Sequence, residues 1–206
     1  FVTANAARRS MFAHHWHGLL RYARNDGIAV FAFSVLLIDT MTKKTPVDAE
    51  VEPDIEFQDE FAVGLKRVFE EMIVFNQVLG LKITSLKPGH VRGRIDMKRE
   101  LIGHFSFNRI HGGVISASLD AMGGLAVMAA IGARHMDETP LQRLQRFSKL
   151  GTIDLRVDYL RPGIGEYFEL SAEVMRLGSR VASTRMEFRG ADGKLLSTGA
   201  GAYIVS

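Results

Sequence analysis

The part of this chain best equipped for chemistry is the stretch His111-Gly112-Gly113-Val114-Ile115-Ser116-Ala117-Ser118-Leu119-Asp120. Two glycines ahead of an apolar, helix-forming run leave the first backbone N–H groups, those of Gly112 and Gly113, unobstructed. Such groups have no partner inside the helix and carry its positive dipole end. They can hold a developing oxyanion, the main electrostatic demand of acyl transfer. On its own a Gly-Gly pair is also just a tight turn into a helix. Asp120 tips the balance, because its neighbours Ile115, Ala117, Leu119, Ala121 and Met122 are apolar. An unpaired carboxylate is costly to bury, so it faces solvent or is kept for a purpose.

Spacing then makes a specific demand. Eight residues separate Gly112 from Asp120, about 12 Å along a helix axis at 1.5 Å per residue. Catalytic reach is about 3 Å, so this acid cannot act on a carbonyl held by the same helix's N-terminus. Two antiparallel copies of the helix, one from each subunit of a two-fold dimer, could supply the two halves.

The elements that must position these residues follow from periodicity. Phe61, Leu65, Val68, Phe69, Met72, Ile73 and Phe75 recur at helical spacing, which predicts one amphipathic helix over 60–78. Residues 81–86 and 91–97, joined at Pro88-Gly89, read as a hairpin. The segment 100–113 is irregular. Residues 114–131 are too long and too rich in Ala, Leu and Met for a strand and predict a buried helix. Pro140 suits the first turn of a short helix, PLQRLQRFSK. Strands follow over 152–160, 167–176, 181–188 and 195–205. In the first of these, Ile153, Leu155, Val157 and Tyr159 are expected on one face and Asp154, Arg156 and Asp158 on the other. One very apolar helix followed by antiparallel strands points to an α+β fold, a sheet wrapped around a central helix.

Composition narrows the function. A net charge of +3, scattered along the chain, gives no argument for nucleic acid but suits a small polyanionic ligand. With no cysteine, thiolate metal sites and a Cys nucleophile are excluded, and a reducing cytoplasm fits. The active stretch contains no His/Asp/Glu cluster at ligand spacing, so no metal and no separate cofactor is expected; His14, His15 and His17 lie in the leader. The domain boundary falls near Gln58, giving a leader over 1–57, an N-terminal extension with helical potential, and a domain over 58–206. The leader opens on Phe1, and its apolar run 28–38 would make only about 16 Å of helix, too short to span a bilayer, so no stable membrane insertion is expected. Three readings of it stand: an upstream region ahead of a true start at Met41, a short membrane-associated helix, or an extra helix.

At IHGGVISASLDAMGGL (110–125) and GTIDLRVDYLRPGIGEYF (151–168), with a looser match at RLGSRVASTRMEF (176–188), the sequence resembles the PaaI-like hot-dog thioesterase superfamily, and within it the YigI-type acyl-CoA thioesterases. The resemblance spans roughly residues 65–206. It implies a hot-dog fold, paired into homodimers and often homotetramers (dimers of dimers). It also implies roles. The Gly112 N–H, after the motif residue His111, would be the oxyanion donor. Asp120 would be either the nucleophile or the general base, and Thr152, at the head of its strand, would position the water. Relatives carry an Asn before the motif His; here His104 occupies that place and Asn108 lies four residues on, so either could supply the amide's contact. His111 alternatively caps the helix. Coenzyme A, as part of the substrate, would bring phosphates to Arg156, Arg161, Arg176 or Arg180, and Arg143 and Arg146 could line the same entrance.

The function implied is hydrolysis of medium- or long-chain acyl-CoA to fatty acid and CoA. Two rivals stand beside it. One is a non-catalytic acyl-CoA sensor, for which the leader lacks a recognisable partner-binding module. The other is an enoyl-CoA hydratase, whose Asp/His pattern is not seen here.

Overall fold

The computed structural model describes residues 59–206, and the expectations for the leader lie outside them. Helix α1 (Asp59–Arg67) passes into a π-helical turn (68–72) and then α2 (Val74–Leu79). Strands β1 (Lys82–Lys87) and β2 (His90–Asp96) form the expected hairpin, with Gly89 at φ 65° in its turn. A two-stranded ladder, β3 (Ile102–His104) with β4 (Arg109–Ile110), leads into the long helix α3 (Gly112–Arg134). After α4 (Pro140–Gln145) the chain closes with β5 (Gly151–Tyr159), β6 (Tyr167–Leu177), β7 (Val181–Gly190) and β8 (Leu195–Ile204).

Six strands form one antiparallel sheet in the order β1-β2-β6-β7-β8-β5. It wraps α3 as the apolar run requires. Leu119, Met122, Leu125, Ala126, Val127 and Met128 are wholly buried, so the helix is apolar nearly all round. From the sheet, β7 buries Ala182, Thr184, Met186 and Phe188 at period two, while Arg185 between them faces out. By length and composition α3 could cross a membrane, but most of its apolar stretch is buried inside this core. The fold is α+β, a hot-dog: a sheet rolled around a central helix.

Two expectations need correction. The helix over 60–78 is not continuous. Ile73 is extended (φ −79°, ψ 99°), and its N–H bonds five residues back to the Val68 carbonyl. The Phe69 carbonyl that a regular helix would have used accepts instead from the Asn76 side chain at 2.9 Å. The buried Asn stabilises the break, and Met72 and Phe75, expected on the apolar face, are exposed. The alternation in β5 fails as well. A bulge between Thr152 and Asp154 leaves Ile153 exposed as the extra residue. Beyond the bulge Leu155 and Val157 still pack against the core. Before it, Thr152 pairs with Tyr203 and so shares that residue's inward face. The bulge is what aims Thr152 at α3. Among the described residues β5 ends the sheet, its outer hydrogen-bonding edge unpaired.

Two connections fix the ends of α3. Leu101 accepts a hydrogen bond from the His111 N–H at 2.9 Å, and Gly103 lies so near that a Cβ would come within 2.6 Å of the His111 Cα. Only a glycine lets β3 pass so close to the helix start. At the other end Arg143, fully buried, donates to the Gly132 carbonyl (3.4 Å) and lies 4.5 Å over the ring of Phe61. A cation beside the last carbonyls of a helix is favourably placed. Arg143 is thus part of the core and lines no entrance. Arg146 is committed to a forked pairing with Glu138, which holds that carboxyl below its usual range.

Candidate active site

The helix start is built from residues that account for its free amides one by one. The His111 N–H goes to Leu101, the Gly113 N–H to the Nδ1 of His111 (2.9 Å), and the N–H groups of Val114 and Ile115 to the His111 carbonyl. Among the described residues the amide left without a partner is that of Gly112. His111 therefore caps the helix through its side chain, the alternative given for it above, and in doing so occupies the amide of Gly113. Tyr159, from the far end of β5, lays its ring 3.4–3.6 Å from where a Gly112 Cβ would be and donates to the Gly112 carbonyl at 3.0 Å. Gly112, Tyr159 and Arg161 line a cleft of about 370 Å³.

The loop before the helix carries both candidates for the amide's companion. His104 stacks on Phe105 (5.8 Å between centroids) and lies tilted against Phe107 (4.9 Å), with a buried Nδ1 that has no partner among the described residues. Asn108 adopts the left-handed conformation (φ 47°) and is exposed. Neither side chain makes a hydrogen bond within the described chain.

The acid lies two turns along α3 in a different cleft, of about 290 Å³. Asp120 is half-buried, and its Oδ1 accepts from the Thr152 hydroxyl at 2.9 Å and from the Tyr203 hydroxyl at 3.2 Å. Tyr203 also donates toward the Asp120 main-chain oxygen at 3.1 Å. Burial pushes the Tyr203 phenol far up, and the neighbouring carboxylate adds to this, so Tyr203 remains a donor at any working pH. Apart from Asn76, whose amide is turned to the Phe69 carbonyl, the cleft's other side chains are apolar, among them Phe69, Ile73, Ala117, Ala121, Phe147 and Leu150. It shares no residue with the cleft at Gly112. One chain thus presents an amide without its acid in one place and the acid without an amide in another.

The arginines do not converge. Arg161 lies beside Gly112 and donates to the Leu195 carbonyl at 2.9 Å. Arg156 pairs with Asp158 at 3.2 Å on the exposed side of β5, and Arg176 and Arg180 are exposed at the β6–β7 connection. No group of three or more His, Asp or Glu that could hold a metal occurs among the described residues. Sequence reasoning missed Tyr203. Its one available signal was a tyrosine on the inward phase of β8, alternating with Gly199 and Gly201, where an inert residue would have served the core.

Comparison with known proteins agrees with this architecture. The profile of the thioesterase superfamily matches residues 107–197. The medium/long-chain acyl-CoA thioesterase YigI of Salmonella typhimurium is 34% identical over 131 residues, which cover 64% of this chain and 84% of that one. Its counterpart of the same name in Escherichia coli K12 is 33% identical over the same lengths. A crystal structure of a thioesterase-superfamily protein from Shewanella oneidensis superposes with a TM-score of 0.66 at 40% identity, covering 73% of this chain and all of that one. The chain belongs to the thioesterase superfamily, as a hot-dog thioester hydrolase of the YigI-type group.

Proposed function

We propose that this protein hydrolyses medium- or long-chain acyl-CoA to free fatty acid and CoA, and that each working site is shared by two copies related by a two-fold axis. The observation that carries the reading is the separation of the two half-sites on one helix. Gly112 offers an unpartnered amide, Asp120 offers a held carboxylate, and eight residues of helix keep them about 12 Å apart. An antiparallel pair of such helices would set the amide of one copy opposite the acid of the other. The unpaired edge of β5, with Ile153 and Tyr159 exposed beside it, is a ready surface for joining two sheets.

In this reading the thioester oxygen accepts from the Gly112 N–H, which stabilises the negative charge that grows there. Asp120 of the second copy takes a proton from water as the water oxygen bonds to the carbonyl carbon; attack by the carboxylate itself is the other route. The C–S bond then breaks, and the CoA thiolate leaves and takes up a proton. The apolar walls beside Asp120 accept the acyl chain, and the names of the curated relatives support that choice of substrate. Arg161 and Arg109, which line the cleft at Gly112, are the arginines placed for a CoA phosphate, while Arg156, Arg176 and Arg180 line neither cleft. The cytoplasm, where acyl-CoA is made and used, is the setting this reading assumes.

The test is thiol release from an acyl-CoA series of increasing chain length, by wild type and by Asp120→Asn. The variant should fold normally and lose at least about a hundredfold in kcat. Near-normal turnover by Asp120→Asn would remove the proposal. Disappearance of an enoyl group without thiol release would favour a hydratase instead.

A further inference from the structure

Asp120 is held by two hydroxyls, those of Thr152 and Tyr203, and the second hold is unusually well provided for. The Tyr203 ring crosses under α3 where two glycines make room for it. A methyl at Gly123 would overlap the Tyr203 hydroxyl outright and come within 2.8 Å of the Met186 sulfur; one at Gly201 would come within 2.9 Å of the Tyr203 ring. A glycine inside a helix costs roughly 1 kcal/mol relative to alanine, so Gly123 is retained against local preference. What it admits is one hydroxyl, delivered to Asp120. The β5 bulge brings the Thr152 hydroxyl to the same oxygen from the other side. Oδ1 is thereby saturated, while Oδ2 accepts no hydrogen bond within the described residues.

We infer that Tyr203 is a positioning residue for the hydrolysis. Its phenol proton, shared between the main-chain oxygen (3.1 Å) and Oδ1 (3.2 Å) of Asp120, ties the carboxylate back to its own helix, fixes its rotation and leaves Oδ2 as the oxygen that meets water or the thioester carbon. The tyrosine touches neither substrate nor water. This rests on the thioesterase reading and assigns which of the acid's two oxygens reacts and what selects it.

Tyr203→Phe keeps the ring in its slot and deletes only the oxygen. Its kcat on a medium-chain acyl-CoA should fall about tenfold or more, the size of one hydrogen bond to a charged group, with KM within about twofold of wild type. A kcat within twofold of wild type overturns the inference, and so does a loss confined to KM. Should the variant fold poorly, site-specific 3-fluorotyrosine at position 203 preserves shape and sharpens the phenol as a donor. It should change kcat several-fold at an unchanged melting temperature, and an unchanged kcat there overturns the inference equally. Failure of the broader reading looks different: wild type would release no thiol, or Asp120→Asn would remain active. If wild type is active, Asp120→Asn is dead and Tyr203→Phe is normal, only the clamp is wrong.

Discussion

A buried phenol beside a carboxylate ties stability to pH in a defined direction. Burial, and then the charge of Asp120, raise the Tyr203 phenol far above the free value of about 10. The folded state therefore holds its proton where the unfolded chain has lost it. That contribution is complete below about pH 10 and drains away as pH rises beyond it. Wild type should thus lose melting temperature above pH 10 more steeply than Tyr203→Phe; parallel curves would show that the phenol is not held as described. Asp120 and Gly112 were legible in the sequence because their signal is local, an acid among apolar residues and a glycine pair at a helix start. Tyr203 was not, because it lies 83 residues from the carboxylate it bonds and only the folded sheet joins them. Arg143 misled for a similar reason. In sequence it belongs to a polar, basic segment, and only packing shows Phe61 and the end of α3 closing over it.

Among the elements, the junction of α1 with α3 tests packing against propensity. A methyl on Gly132 would overlap the Phe61 ring, which in turn supports Arg143. Helix propensity alone says that Gly132→Ala should stabilise by about 1 kcal/mol. Overpacking says it should destabilise by about 1–3 kcal/mol, and the second effect should win because the ring is wedged under a buried guanidinium. The midpoint of urea unfolding decides the sign. The elements themselves were mostly readable, since α3 is apolar along its length and β7 alternates as its sequence requires. The two that departed did so through single interactions that no pattern of apolar residues records. The Asn76 side chain captures the Phe69 carbonyl and breaks a helix, and an extra residue at Ile153 reverses one end of a strand. The second departure matters to chemistry, since a regular β5 would turn Thr152 away from Asp120.

For the whole molecule, the division of labour between copies can be tested with two inactive variants. Gly112 sits at the first helical position, where proline fits, and His111 before it is already extended (φ −70°, ψ 137°), the conformation a following proline requires. Gly112→Pro therefore deletes the amide proposed to hold the oxyanion, with little backbone disturbance. Alone it should lose at least about a hundredfold in kcat. Refolded together with Asp120→Asn in equal amounts, half of the dimers are mixed, and each mixed dimer retains one intact site. Activity should return to about a quarter of wild type. A mixture as inactive as its parts would mean that the site lies within one chain.

The open margin of β5 then has a meaning for the living cell. A catalyst assembled from two incomplete copies has a turnover per chain that depends on how much of it is present. On the proposed sharing of the site, solitary chains would be idle at low abundance, and activity would rise with the square of their number until pairing saturates. Specific activity should fall on dilution and recover on concentration, which would make the expression level itself a throttle on the reaction.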